Sequence, residues 1–286
     1  MRKVKISVLA MLSVVALLFS SCLGDSDYAP SIGCTGKPLG SLSADVKLDN
    51  GVIVTLSGIS ATTLMDIDRM YVYGQLTGED ANLETINPGD KVTITPNFYV
   101  TLSKAQSFLE DASWSDLNLS EMESLNWFSP DGYSLVNALN GYMNFMTTGM
   151  AYAKKNESSS SSSSDSYTLL TPRYYVKVKR LDTSNKIVDL VLGYDNRSSE
   201  CLDENGKLKE GYISQKSTFC FYFDTYELYT YLNGIADEDA VTFNIYKAQK
   251  NSKGEYEEVK VSMNYASIQK GRSEERRVGK ECRSRW

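Results

Sequence analysis

The sequence predicts a mostly β protein, a small OB-like barrel followed by an antiparallel β-sandwich. Apolar and polar residues alternate with period two in short runs, among them Met70, Val72 and Leu76, Tyr174, Val176 and Val178, and Val241, Phe243 and Ile245. That repeat places one face of a strand in a core and the other in water. Turn-forming groups separate the runs: Asn50-Gly51, Asn87-Pro88-Gly89-Asp90 and Asp203-Glu204-Asn205-Gly206. Tyrosine is abundant, 19 against 9 Phe and 3 Trp. An apolar ring with a wet hydroxyl suits half-buried strands.

The N-terminus is read as a signal peptide over residues 1–21. Arg2, Lys3 and Lys5 make a basic start, and Ile6 to Phe19 is apolar apart from Ser7 and Ser13. Such a run spans about 21 Å as a helix, short of the roughly 30 Å hydrocarbon core. Ser20-Ser21-Cys22 follows, small residues and then the cysteine expected to be acylated. Two or three acyl chains, each buried methylene contributing about 0.8 kcal/mol, would hold the protein to a membrane. This N-terminus resembles the lipoprotein signals of Bacteroidota. The early acids Asp25 and Asp27 resemble that group's surface-export signal, and read equally as a solvated tether. The expected location is a lipid anchor on the outer membrane, facing the cell surface or the periplasm. Residues 22–38, rich in Gly, Ser and Pro, read as a lipidated tether.

Residues 39–102 read as the barrel. Leu42, Ala44, Val46 and Leu48 alternate, Asn50-Gly51 turns the chain, and Val52 to Leu56 returns it. Met70 to Leu76, Val92 and Ile94, and Phe98 to Leu102 complete about five short strands, a number that closes into a small barrel. Residues 103–130, rich in Ser, Asp, Glu and Asn, read as a connector with one short helix. Residues 131–271 read as the sandwich, with strands at Tyr142–Thr147, Tyr174–Lys179, Ile187–Tyr194, Phe219–Phe223, Val241–Ile245 and Tyr256–Met263. A Ser-rich loop over 156–166 interrupts it, and Tyr226 to Leu232 reads as a helical turn or two. Residues 272–286 resemble a translated sequencing adapter, and six of those fifteen residues are basic. They are expected to be artefactual, with the natural chain running on past Gly271.

The Leu48-Asp49-Asn50-Gly51 hairpin, the strand Asp68-Arg69-Met70-Tyr71-Val72-Tyr73-Gly74, and sandwich strands at Asn137–Phe145 and Leu190–Tyr194, behind a Bacteroidota lipoprotein signal, are together similar to NigD-like lipoproteins. The resemblance covers most of residues 22–265. It implies an N-terminal OB-fold, a C-terminal β-sandwich, and at most an immunity or accessory role.

Composition narrows the chemistry. The signal carries three basic residues, and the tail six basic and three acidic, so residues 22–271 hold 21 basic and 33 acidic side chains, a net charge of −12. Nucleic acid is therefore an unsuitable partner. There is no histidine, which removes Ser-His-Asp and Cys-His catalysis and His-ligated zinc. No catalytic residue, cofactor or metal is expected. Cys201 and Cys220 are the expected disulfide pair if one forms, and Cys220 in its aromatic run fits a buried thiol as well. Asp66 with Asp68, or Asp237-Glu238-Asp239, could supply the carboxylates of a glycosidase. Asp203, Asn205 and Glu210 could ligate calcium, though a plain turn accounts for them better. Trp114 and Trp127 suit a sugar platform or, more simply, packing. The expected function is a non-enzymatic, membrane-anchored binding module for a protein, peptide or glycan. The alternatives are a fimbrillin-like structural subunit, which needs a long unpaired strand edge beside an apolar groove, and a carboxylate-based glycan hydrolase.

Overall fold

The computed structural model describes residues 30–40, 42–77, 85–109, 111–128, 142–156, 166–224, 240–261 and 268–269. Among them no helix is long and apolar enough to cross a membrane. The expected signal peptide, Cys22, the serine run, the turn at Tyr226–Leu232 and the tail lie outside them.

Strands β1 (Ser31–Pro38), β2 (Asp45–Leu48), β3 (Ile53–Leu56), β4 (Met70–Leu76) and β5 (Lys91–Thr101) close a barrel in the order β1-β2-β3-β5-β4. β3 and β5 run parallel, and the other neighbours are antiparallel. The expected hairpin forms with Lys47 opposite Ile53. Its turn uses Gly51 at φ 84°, and Asn50 Oδ1 accepts from Val52 N at 3.1 Å. A short helix, α1 (Ala61–Leu64), links β3 to β4, and the Ser60 hydroxyl caps it. The alternating residues Val46, Leu48, Val54, Leu56, Met70, Val72 and Ile94 fill the interior with Cys34.

Two expectations fail here. The sequence reads residues 31–38 as tether, yet they are the first barrel strand. The glycines that suggested a tether are there for close packing. A Cβ on Gly36 would lie 2.6 Å from the Lys47 carbonyl oxygen, and one on Gly33 would lie 2.5 Å from the Tyr71 hydroxyl. The alternation at Leu42 is also misleading: β2 starts at Asp45, and Leu42 is fully exposed in the preceding loop.

The rest forms a sandwich. One sheet has the order β10-β9-β13-β6, with β8 beside β9; its strands are β6 (Ser103–Lys104), β8 (Ser124–Trp127), β9 (Tyr142–Lys155), β10 (Tyr167–Leu169) and β13 (Tyr212–Asp224). The other has the order β15-β14-β12-β11-β7, with β16 (Ile268–Gln269) beside β14. Its remaining strands are β7 (Gln106–Ser107), β11 (Arg173–Asp182), β12 (Ile187–Asp195), β14 (Ala240–Lys250) and β15 (Tyr256–Val261). Phe145, Phe221 and Phe223 of the first sheet meet Tyr174, Leu190, Tyr194, Val241 and Phe243 of the second in the core. Tyr174 and Phe221 stack at 4.2 Å between centroids.

The segment 103–130 is therefore no connector. It gives one strand to the first sheet's edge (β6), one to the second's (β7), and β8. The expected helix is only a 3-10 turn at Trp114–Asp116. Two-residue strands have no visible period, which is why they read as loop. The expected antiparallel sandwich also contains three parallel pairings, β6 with β13, β7 with β11, and β12 with β14.

Candidate functional site

Two regions position groups in a way that bears on function: the junction between barrel and sandwich, and the sandwich end furthest from it.

At the junction, the outward residues of β4 and β5 pack on the outer face of the first sheet. Tyr71, Leu102, Phe128 and Tyr222 are buried there, with Tyr73, Phe98, Tyr142, Met146 and Cys220 beside them. Arg69, the residue before β4, is 1 % exposed. Its Nη1 donates to Asp49 Oδ1 at 3.0 Å, its Nη2 pairs with Asp49 Oδ2, and its Nε donates to Asn144 Oδ1 at 3.2 Å. The Thr35 hydroxyl also donates to Asp49. The guanidinium fork thus ties two barrel turns to β9 along planar directions that Arg supplies and Lys does not. Burial and the nearby Asp68 carboxylate push the Tyr222 hydroxyl up to about 12. Sequence reasoning missed Arg69; one cation directly before an apolar strand was the available signal.

The far end lies one strand length away. β9 and β13 pair from Tyr142–Asp224 at the junction to Lys154–Tyr212 at the tip, about 40 Å at roughly 3.3 Å per residue. There the chain crosses from β12 to β13 through α2 (Ser198–Cys201) and the turn at Asp203–Gly206. The crossing and the Asn118–Leu119 segment flank an open cleft of about 850 Å³, lined also by Lys209 and Lys250. Three large apolar side chains are exposed on or next to the crossing, Leu208, Ile213 and Tyr167. Ile213 pairs with Ala153 of β9, and Lys155, two residues further along β9, pairs with Tyr167.

The cleft walls are held from outside. Arg197 Nε and Nη2 donate to the Glu200 carboxylate at 2.8 and 2.6 Å, and Arg173 adds an ion pair to Glu200 at 3.5 Å. These cations hold Glu200 below the usual carboxylate range, the Arg197 hydrogen bond acting most strongly. Ser120 Oγ donates to Asn196 Oδ1 at 2.6 Å, fixing the Asn118–Leu119 wall to the end of β12. The same segment covers the outer face of the second sheet. Trp114 Nε1 donates to Glu258 Oε1 at 2.9 Å, and the Tyr256 hydroxyl donates to the Leu117 carbonyl at 2.7 Å.

Most sequence-level candidates do not assemble into chemistry. Asp66 and Asp68 are both exposed around the turn after α1, and Asp237-Glu238-Asp239 lies outside the described residues. Asp203 Oδ1 accepts from the backbone N–H of Asn205 and of Lys207, each at 2.9 Å, so this carboxylate closes its own turn. Among the described residues no group of three or more His, Cys, Asp or Glu could hold a metal. Trp114 is buried against Phe108, and Trp127 stacks on Phe145 at 4.7 Å, so neither forms a platform.

Cys201 and Cys220 are free and are not brought together. Cys201 lies at the tip, within electrostatic reach of Tyr152, which pairs with Ser214. Cys220 is six residues further along β13, about 20 Å at roughly 3.3 Å per residue. A disulfide requires Cα atoms within about 7 Å. Burial pushes the Cys220 thiol up to about 12.

No family model matches the sequence, and no curated protein matches it. Solved structures that the chain is similar to include several from Bacteroides species. They include a NigD-like immunity protein from Bacteroides caccae (14 % identity, 82 % of this chain and 93 % of that one, TM-score 0.37). A protein assigned as a lipoprotein from Bacteroides fragilis is also similar (10 % identity, 82 % and 100 %, TM-score 0.46). So is a protein of unknown function from Bacteroides vulgatus (12 % identity, 82 % and 90 %, TM-score 0.41).

Proposed function

We propose that the chain is a lipid-anchored, non-enzymatic binding protein that stands on a bacterial outer membrane by acylated Cys22 and presents the far end of its sandwich to a partner. The position of the cleft carries this reading. The chain enters the barrel at Ser31 of β1, the barrel grips the near end of the first sheet through Arg69, and the cleft opens about one strand length beyond. Loops at a sandwich end make a natural binding surface on a rigid frame. The Ser20-Ser21-Cys22 junction supports the anchor, and the lack of histidine supports binding without acid–base chemistry. The fimbrillin-like alternative draws on one observation: among the described residues β6 covers only Phe221 and Tyr222 on the side of β13 away from β9. Against it, β15 carries Glu257, Glu258 and Lys260, charges that oppose the addition of a strand.

Metabolic labelling with an alkyne fatty acid, followed by membrane sedimentation, tests the anchor. The expected result is label and sedimentation in the unaltered chain and loss of both in Cys22→Ser. A labelled, sedimenting Cys22→Ser chain would overturn it.

A further inference from the structure

We infer that the tip cleft is a binding site for a neutral oligosaccharide, an assignment that rests on the binding function above and names its ligand class. The lining is hydroxyl, amide, ammonium and carboxylate: Ser198, Ser199, Asn118, Asn205, Lys209 and Lys250, with Asp203 and Glu204. These groups donate and accept within one small area, as vicinal sugar hydroxyls require, since each hydroxyl both gives and takes a hydrogen bond.

Charge balance separates this class from an anion. The lining holds two lysines and two carboxylates, so a carboxylated or phosphorylated ligand gains no net attraction there. The Lys209 ammonium is steadied by a 3.0 Å hydrogen bond to the Glu200 carbonyl, and Lys250 lies 5.2 Å over the Tyr256 ring. Both ammonium groups are thus held in place with N–H donors left over for a ligand. A peptide is the weaker fit, because Leu119 and Leu202 are the lining's apolar side chains and offer no deep pocket for an anchor. A volume of about 850 Å³ falls within the usual range for small-ligand sites. The open shape suits part of a longer chain passing across it.

The full chain is titrated by calorimetry with maltotriose, cellotriose and mannotriose, and in parallel with trigalacturonate and an acidic hexapeptide. The expected result is binding of at least one neutral trisaccharide in the millimolar range or tighter, and at least tenfold weaker binding of the charged probes. Asn205→Ala and Lys250→Ala, each at an exposed side chain, are expected to weaken the neutral ligand at least tenfold while leaving the unfolding midpoint unchanged. Binding of no neutral trisaccharide, preference for a charged probe, or indifference to both substitutions would overturn the assignment. Acyl labelling and membrane sedimentation of the same chains report the anchored state separately, so a failed sugar site and a failed anchor are told apart.

Discussion

The Arg69 guanidinium carbon lies 3.8 Å above the centre of the Tyr142 ring, so a cation from the barrel sits over the first aromatic of β9. The contact is screened from water and adds to the bidentate pairing with Asp49.

Removing that cation should loosen the junction. Arg69→Ala takes both guanidinium bonds from Asp49 and opens a cavity beside Tyr142. Asp49 keeps the Thr35 hydroxyl and is partly exposed, so the cost should fall near the low end of the about 3–5 kcal/mol for breaking a fully buried pair. Arg69→Lys keeps the charge but loses the fork, and should cost less than half as much. Urea unfolding followed by tyrosine fluorescence would show both. An unchanged midpoint in Arg69→Ala would rule out a structural role for the pair.

Asp45 should make the barrel acid-sensitive in a narrow window. Burial alone would raise its carboxyl, but hydrogen bonds from Lys91, Ser43 and Thr55 outweigh that and hold it at about 2, against an ordinary 3.8. A depressed folded value means that the ionised carboxylate stabilises the fold fully above about pH 4 and less as pH falls toward 2. The contribution is about 1–2 kcal/mol, allowing for water around the exposed Lys91 ammonium. Asp45→Asn should be less stable at pH 6, and its stability should change less between pH 4 and pH 2. Parallel pH profiles for the two proteins would contradict this.

Gly36→Ala should separate β1 from β2. The added Cβ would meet the Lys47 carbonyl oxygen at 2.6 Å and the Leu48 Cα at 3.0 Å, both backbone atoms with little room to yield. A loss of about 1–3 kcal/mol is expected, whereas Gly206→Ala, with open space around it but φ at 74°, should cost about 1 kcal/mol from the backbone alone. Thermal unfolding of the two variants checks the order.

Cys201 and Cys220 should be nearly inert to thiol reagents at pH 8 in the folded protein. Burial raises both Cys201 and Cys220, leaving little thiolate on either. Denaturant without reductant should expose both thiols to labelling. Mass spectrometry showing a Cys201–Cys220 bond would contradict the placement of Cys201 in α2 at the tip and Cys220 within β13.

Much of the fold is visible in the sequence because one buried face writes a period of two. Met70 to Leu76 and Phe219 to Phe223 follow that rule, and Asn50-Gly51 announces its turn. β1 is hidden because its glycines serve close packing and leave only Ile32 and Cys34 as an apolar stripe, too short to read. β6 and β7 are too short to show any period, and their parallel partners lie more than sixty residues away. The cleft is least visible. Its serines, asparagines and lysines come from a crossing, a surface segment and a strand end, and they become neighbours only after the sheets have packed.

Between β6 and β7 a single fully buried residue, Ala105, carries the chain from the rim of one sheet to the rim of the other, its N–H held by the Tyr222 carbonyl at 2.8 Å. A pull applied to the protein through its barrel would therefore load both halves of the sandwich at once. The first bonds to bear that load are the short parallel pairings, which resist as a clasp in shear rather than opening one rung at a time.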